Sequence, residues 1–179
     1  MWTEEKLLAH LRERGMDPDK YQLALDPVEG VVTYPLHNGS GKWVGYQAYR
    51  PDKTSKKMND ELECRYYTYL PSGVDGMFGI DQIDPTKRTI YIVEGVFKAA
   101  FLHRLGYNAI AVLTSHPKRL KPYFRIMKQT WDLIAIGDND PAGQKLVNTV
   151  KKGFQSPVDI DEMSDYAVIH MLQSYSAGG

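Results

Sequence analysis

Two short apolar runs, each followed at once by acidic residues, constrain the fold of this chain most. The first run spans residues 89–93 and leads into Glu94. The second spans residues 132–137 and leads into Asp138 and Asp140. Short apolar runs separated by helical patterns are typical of buried parallel strands in βαβ units. The sequence therefore predicts an α/β fold built on a parallel sheet.

The acidic residues behind these runs are the first candidates for a site. Parallel strands end at one edge of a sheet, and open α/β folds bind their ligands there, so Glu94, Asp138 and Asp140 are expected to meet. Carboxylates held close together repel one another unless a cation lies between them, and oxygen ligands suit Mg²⁺ or Mn²⁺. Taken singly, Glu94 also fits a charge at a helix start, and Asp140 a helix N-cap.

Composition is that of an ordinary globular protein. The chain has 179 residues, 42% hydrophobic and 25% charged, enough for one generous domain or two small ones. Lys and Arg number 22, as do Asp and Glu, so net charge indicates no class of partner. Basic residues do cluster locally, and each cluster indicates either a basic groove or a solvated surface. The cluster in the second half contains Lys118, Arg119, Lys121, Arg125 and Lys128.

Several classes of protein are excluded or disfavoured. Cys64 is the only cysteine, which excludes an intramolecular disulfide and a cysteine-based zinc ribbon. The apolar runs are shorter than the ~18 residues of a membrane span, and the start of the chain does not resemble a signal peptide. The expected location is the cytoplasm, which would be the cytoplasm of the host cell if the protein comes from a phage.

The chain divides into two predicted parts. Residues 1–86 form a small α+β subdomain, and residues 87–179 alternate strands with helices. In the first part we predict a helix over 3–14 capped by Thr3, a hairpin of strands 31–36 and 43–49, and a strand at 65–70. In the second part we predict strands at 89–93, 109–113 and 132–136, an extended segment at 157–161, and helices over 96–105, 117–129, 141–152 and 164–172. Ser115 and Asp140 are the predicted caps of the second and third of these helices.

These motifs resemble a known family. The Glu-Gly pair at 94–95 and the Asp-x-Asp-x-Ala-Gly pattern at 138–143, each closing a strand, resemble the Toprim domain, in particular its primase branch. This resemblance covers about residues 88–175. The earlier segments 34–36, 45–50, 65–66 and 78–79 resemble the small subdomain that precedes Toprim in bacterial and phage primases. The implied fold is a mostly parallel sheet flanked by helices, preceded by that α+β subdomain.

The resemblance implies a primase core that makes short RNA primers on single-stranded DNA from ribonucleoside triphosphates. It implies that Glu94 acts on the reacting hydroxyl or holds a metal, while Asp138 and Asp140 bind one or two Mg²⁺ (or Mn²⁺) ions. Asp159, with Asp161, resembles a further acidic element of primase-type Toprim domains. The residues expected to contact template or nucleotide are Arg50, Lys56, Lys57, Arg65, Tyr66, Gly95 and Lys98.

One residue departs from the primase pattern. Lys98 stands where many primases carry an acidic residue, and the segment 94–99 is similar to the Glu-x-x-x-Lys-Ala of type IA topoisomerases. The sequence shows no zinc-binding module and no helicase domain, so a replicative helicase or a separate zinc-binding or helical subunit is an expected partner. A Toprim nuclease and a nucleic-acid-binding replication accessory remain alternative functions.

Overall fold

The computed structural model describes residues 1–56, 60–114 and 116–178. The strands in this part of the chain are β1 (Ala24–Asp26), β2 (Val31–His37), β3 (Trp43–Tyr49), β4 (Tyr66–Tyr69), β5 (Met77–Phe78), β6 (Thr89–Val93), β7 (Asn108–Val112), β8 (Asp132–Gly137) and β9 (Gly153–Gln155). The α-helices are α1 (Glu4–Glu13), α2 (Val96–Arg104), α3 (Lys121–Met127), α4 (Pro141–Val150) and α5 (Asp165–Gly178).

All nine strands belong to one sheet with an antiparallel part and a parallel part. The order is β4-β3-β2-β5-β7-β6-β8-β9, with β1 beside β2. Strands β6, β7 and β8 are parallel, as predicted, and β9 adds a further parallel strand that was not predicted. Strands β1 to β4 are antiparallel. The short β5 joins the two parts, because Met77 pairs with both His37 and Val112. The sheet therefore continues across residue 86, and the division into 1–86 and 87–179 stays a prediction.

Helices cover both faces of the parallel strands, as their continuous apolar sequences require. Tyr91 and Val93 of β6 face a cluster that includes residues of α1, α2 and α5. Ile90 and Ile92 face a second cluster formed with α3 and α4. The predicted α/β class is confirmed. Within the described residues, no helix is both long enough and apolar enough to cross a membrane.

Local signals located several elements correctly. The predicted hairpin is β2–β3, and Oγ1 of Thr3 accepts a hydrogen bond from the Lys6 N–H at 3.2 Å, which confirms the N-cap. The helix predicted over 117–129 instead begins as a 3₁₀ turn at Pro117–Leu120 and becomes α-helical at Lys121. Its predicted cap, Ser115, lies outside the described residues.

The end of the chain differs from the prediction in two places. The last parallel strand is Gly153–Gln155 rather than the segment 157–161, because Pro157 has no N–H with which to continue the pairing to β8. Residues 160–162 form a 3₁₀ turn instead. The last helix runs to Gly178, beyond the predicted 172, and Tyr175 in this added part packs against Phe154 with ring centroids 4.8 Å apart.

Candidate active site

Glu94 and Asp138 meet at the carboxyl edge of the parallel strands. Strands β6 and β8 are neighbours, with Ile92 paired to Ala135, so the residues that follow them leave the sheet side by side. Oε2 of Glu94 accepts a hydrogen bond from the backbone N–H of Asp138 at 3.0 Å. The predicted meeting of these two positions is confirmed.

The turn from β8 into α4 leaves no room for side chains at its two glycines. A Cβ at Gly143 would lie 2.0 Å from the carbonyl oxygen of Asp138, and a Cβ at Gly137 would lie 2.4 Å from the carbonyl oxygen of Gly143. Both neighbours are backbone atoms, which cannot swing aside as the end of a side chain does. The final glycine of the motif therefore holds Asp138 against the first turn of α4.

Asp140 is the N-cap of α4. Its Oδ1 accepts a hydrogen bond from the Gly143 N–H at 2.7 Å, and Pro141 occupies the first helical position. The backbone N–H of Asp140 also donates to the carbonyl oxygen of Asp138 at 2.8 Å. The predicted cap is confirmed, and Asp140 has this structural contact whether or not it binds a ligand.

Gln155 of β9 holds in place the turn formed by residues 138–140, which we call the acidic turn. Its Nε2 donates to the carbonyl oxygens of Asp138 at 2.8 Å and of Asp140 at 2.9 Å. Sequence reasoning missed Gln155, since its role depends on the pairing of β9 with β8. The available signal was its position, a polar residue between Phe154 and Ser156 at the end of a short strand.

Lys98 supplies a positive charge to this edge. Its Nζ lies 2.7 Å from Oδ1 of Asp138 and 3.7 Å from Oδ1 of Asp159, and its side chain is only 13% exposed. Burial by itself lowers the pKa of Lys98. The hydrogen bond to Asp138 and the charges of Asp138, Asp159 and Asp161 outweigh burial and raise that pKa above its ordinary value. Lys98 is therefore charged at neutral pH.

Glu94 is partly buried and lies near two other carboxylates, Asp138 and Asp140. Burial raises its pKa above the ordinary value, and the charges of Asp138 and Asp140 add to the effect. The hydrogen bond from the Asp138 N–H and the charge of Lys98 act in the opposite direction but do not outweigh them. The charge of Lys98 therefore does not bring the pKa of Glu94 down to its ordinary value.

The acidic side chains at this edge are of the type that binds a hard divalent cation, but they are not grouped as closely as metal ligands are. Glu94, Asp138 and Asp140 offer only carboxylate oxygens, the ligands that hard divalent cations prefer. Over residues 1–56, 60–114 and 116–178, however, no three acidic, histidine or cysteine side chains are grouped so that they could hold a metal ion. The metal site and its Asp159 ligand stay predictions.

Arg14 connects the N-terminal half to the acidic residues that follow β9. Its Nη2 lies 3.2 Å from Oδ2 of Asp161, and its Nη1 donates to the Tyr49 hydroxyl at 3.0 Å. The guanidinium carbon lies 3.9 Å from the centroid of the Phe97 ring, and Phe97 directly precedes Lys98. Sequence reasoning treated Arg14 only as a helix end, because the contact joins segments 147 residues apart.

Two of the arginines expected to bind nucleic acid lie next to this connection. The backbone N–H of Arg50 donates to the carbonyl oxygen of Arg65 at 2.9 Å, and the Tyr66 ring stacks on Tyr49 at 5.1 Å. Nη1 of Arg50 and Nε of Arg65 are buried and have no hydrogen-bond partner in the described structure. Buried N–H groups of this kind normally have an acceptor, so both guanidinium groups have unused capacity.

For the remaining residues expected to bind nucleic acid or nucleotide, the structure gives less detail. Lys56 is exposed, and Lys57 lies outside the described residues. Beside Gly95 the space is open, since a Cβ built there would have no neighbour within 4 Å among the described residues other than those adjacent in the chain. A ligand therefore has access to the backbone between Glu94 and α2.

The sequence matches no protein-family model and no curated protein sequence. Among solved structures, the chain is similar to the zinc-binding and RNA polymerase domains of the Aquifex aeolicus primase, with a TM-score of 0.64 and 18% identity. The alignment covers 97% of this chain and 55% of the Aquifex chain. The primase fragment of the bacteriophage T7 primase-helicase gives a TM-score of 0.66 at 17% identity, covering 90% of this chain and 72% of that one.

A third similar structure is a DnaG primase catalytic domain bound to single-stranded DNA. Its TM-score is 0.61 at 14% identity, and the alignment covers 98% of this chain and 59% of that chain. The chain thus spans a little over half the length of the Aquifex and DnaG chains that it matches. At such identities the similarity establishes the fold.

Proposed function

Because the chain has the fold of primase catalytic cores, we propose that it is a metal-dependent DNA primase core. In this proposal it makes short RNA primers on a single-stranded DNA template by nucleotidyl transfer from ribonucleoside triphosphates. The observation that carries the proposal is the 3.0 Å contact between Oε2 of Glu94 and the Asp138 N–H, which joins two distant motifs at one sheet edge.

The acidic residues divide the chemistry between them. Glu94 would either take the proton of the attacking hydroxyl or hold a metal ion. Asp138 and Asp140, together with Glu94 if it is not the base, would hold Mg²⁺ or Mn²⁺, with Asp159 as a further ligand. A cation bound there would supply positive charge for the polyphosphate and the leaving oxygen. Lys98 releases Asp138 and contacts a phosphate oxygen instead.

Nucleic acid and nucleotide bind along the neighbouring basic residues. In this proposal Arg50, Arg65, Lys56 and Lys57 contact phosphates of the template or of the triphosphate. Such phosphate contacts depend on salt and carry no sequence information. Tyr66 extends its stack on Tyr49 to a base.

Further partners follow from the same proposal. The chain spans 55–72% of the Aquifex, T7 and DnaG primase chains described above. We place it in the cytoplasm with a replicative helicase, or with a separate zinc-binding or helical subunit that assists the start of synthesis.

A Toprim nuclease is the second candidate function. The observation in its favour is Lys98, whose Nζ lies 2.7 Å from Asp138 and so places a cation beside the acidic residues. A cation in this position would stabilise the phosphate charge that develops when a phosphodiester is cleaved.

One incubation separates the candidates. The protein is mixed with single-stranded DNA, the four ribonucleoside triphosphates and Mg²⁺ or Mn²⁺, and the products are resolved on a denaturing gel. The primase proposal requires short RNA products that depend on both triphosphates and metal. A shortened template would instead establish the nuclease, and binding without either product would indicate the accessory role.

A further inference from the structure

The helical layer formed by α3 and α4 carries an unusual distribution of charge. Residues 113–131 and 141–152 contain eight Lys and Arg residues and no Asp or Glu. Because the chain has 22 of each class, the remainder has 14 basic and 22 acidic residues. We call the eight residues the basic face: Lys118, Arg119, Lys121, Arg125, Lys128, Lys145, Lys151 and Lys152.

The fold places these residues on one side of the molecule. Phe124 of α3 and Leu146 of α4 pack in the same cluster, against the sheet face that carries Ile90 and Ile92. All eight residues of the basic face are exposed. Helix α1 packs in the cluster on the opposite face of the sheet.

Few acidic residues neutralise the basic face. Arg119 pairs with Asp75 at 3.2 Å, and Lys152 pairs with Asp132 at 2.8 Å. The other six form no ion pair with any residue that the structure describes. Burial, followed by the charge of Lys151, lowers the pKa of Lys128, so like charges oppose one another here. An anionic partner would relieve this repulsion.

The spacing on α3 suits a regular row of phosphates. Lys121, Arg125 and Lys128 follow an i, i+4, i+7 pattern and share one side of the helix. Over seven residues the helix rises about 10 Å. This length corresponds to about three phosphates on one strand of a duplex, at ~3.4 Å each.

The aromatic residues of the layer distinguish between two kinds of nucleic acid. Proteins that bind single strands without sequence preference use exposed rings on which bases stack. Within residues 116–131 and 141–152 no Phe, Tyr or Trp ring is exposed: Phe124 is buried, and Tyr123 and Trp131 are partly buried. The exposed ring in these ranges is the imidazole of His116, which precedes the 3₁₀ turn. A positively charged surface without exposed Phe, Tyr or Trp rings suits a duplex, whose bases are inside and whose phosphates face outward.

We propose that the basic face binds the phosphate backbone of double-stranded nucleic acid, independently of sequence and separately from the Glu94–Asp138 edge. The proposal goes beyond primer synthesis, since duplex binding at this face requires neither metal nor triphosphate. It adds a contact for duplex on the side of the sheet covered by α3 and α4.

The test compares two triple variants with equal loss of charge. Lys121→Gln/Arg125→Gln/Lys128→Gln alters the basic face, and Lys6→Gln/Arg12→Gln/Lys20→Gln alters exposed positions in and beyond α1. Binding of a fluorescent duplex of ~20 base pairs is measured by anisotropy in EDTA over a range of salt concentrations. The basic-face triple should bind roughly tenfold more weakly, with a log–log salt slope smaller by about 2–3. The control triple should bind like the wild-type protein.

Two further variants test the proposal in the same duplex-binding assay. Lys145→Gln/Lys151→Gln on the α4 side should weaken duplex binding as well, and Asp138→Asn should leave it unchanged even if primer synthesis is lost or was never present. Equal weakening by both triples, or wild-type affinity in the basic-face triple, would overturn the proposal. The proposal would also be overturned if the basic-face triple retained duplex binding and lost only binding to single-stranded DNA or to phosphatidylserine vesicles.

Discussion

Nζ of Lys98 lies 2.7 Å from Oδ1 of Asp138, so the cation beside this carboxylate belongs to the protein itself. The pair is only partly exposed, with 13% of the Lys98 side chain and 25% of the Asp138 side chain accessible. A divalent ion at Asp138 must therefore compete with a charge that is already in place. This competition makes the proposed metal site testable without any assay of synthesis.

Replacing Lys98 should change metal affinity and activity in opposite directions. Lys98→Met removes the competing ammonium group, so Mn²⁺ should bind about tenfold more tightly. Primer synthesis should nevertheless fall, because the proposed contact of Lys98 with a phosphate is lost. Manganese titration followed by thermal unfolding measures the affinity, since a ligand of the folded state raises Tm. Unchanged manganese affinity would mean that Lys98 does not compete for the site.

Asp138→Asn should abolish the metal-dependent reaction and leave the fold intact. The substitution keeps the size of the side chain and removes its charge, so we expect synthesis to fall at least about 100-fold. Metal should then no longer raise Tm. The matched control is Asp132→Asn at the opposite end of the same strand, where the carboxylate pairs with Lys152 at 2.8 Å. Full activity in Asp138→Asn would refute the assignment of the site.

Gln155 should matter through the position of the acidic turn. Gln155→Met keeps the length of the side chain but loses both hydrogen bonds to the Asp138 and Asp140 carbonyls. We expect a loss of about 1–2 kcal/mol in the free energy of unfolding and a fall of roughly tenfold in synthesis. Urea unfolding and the primer assay measure the two effects. Gln144→Met, on the exposed side of α4, is the control and should leave both unchanged.

The raised pKa of Glu94 predicts a pH-dependent stability. Burial makes the folded protein bind this proton more tightly than the unfolded chain does. The resulting stabilisation is complete below the unfolded pKa of about 4.3 and is lost as the pH rises through the folded pKa. Glu94→Gln should thus raise the metal-free Tm at neutral pH, by on the order of 1–2 °C.

The sign of this effect is checked by acidification. Near pH ~4 the wild-type carboxyl is largely protonated, so the difference in Tm between the two proteins should shrink. The exposed Glu29→Gln serves as the control, with little change expected at either pH. A Glu94→Gln protein that is less stable than wild type at neutral pH would contradict the argument.

Arg14 should stabilise the contact between the N-terminal half and the acidic segment after β9. Arg14→Ala removes the hydrogen bonds to Asp161 and Tyr49 and the packing on the Phe97 ring. We expect a loss of about 2 kcal/mol in the free energy of unfolding. Arg12→Ala, an exposed change on the same helix, should cost much less, and equal losses from the two would show that Arg14 makes no special contribution.

The parallel part of the fold was predictable because its signals are local. The apolar sequence of β6 and β8, and the acidic residues directly behind each strand, are visible in short stretches of sequence. The caps by Thr3 and Asp140 also depend on neighbours within three residues. A site formed by residues at strand ends follows from such signals as soon as the strands are known to be parallel.

What the sequence did not reveal depends on tertiary contacts. Gln155 gains its role only from the register between β9 and β8, where Gly137 pairs with it. Strand β5 has two residues, too few to show any periodicity. The arrangement of carboxylates around a cation depends on the cation as well as on the chain. Glu94 and Asp138 were therefore predictable as neighbours, whereas a completed metal cage was not.

The glycine at 143 has an evolutionary consequence. Because even one methyl group there would collide with the main chain of Asp138, this position tolerates fewer replacements than the acidic residues whose chemistry it supports. A relative in which Asp138 was replaced could still fold, yet it would have to retain Gly143. Among distant relatives, Gly143 should therefore be retained more often than Asp138.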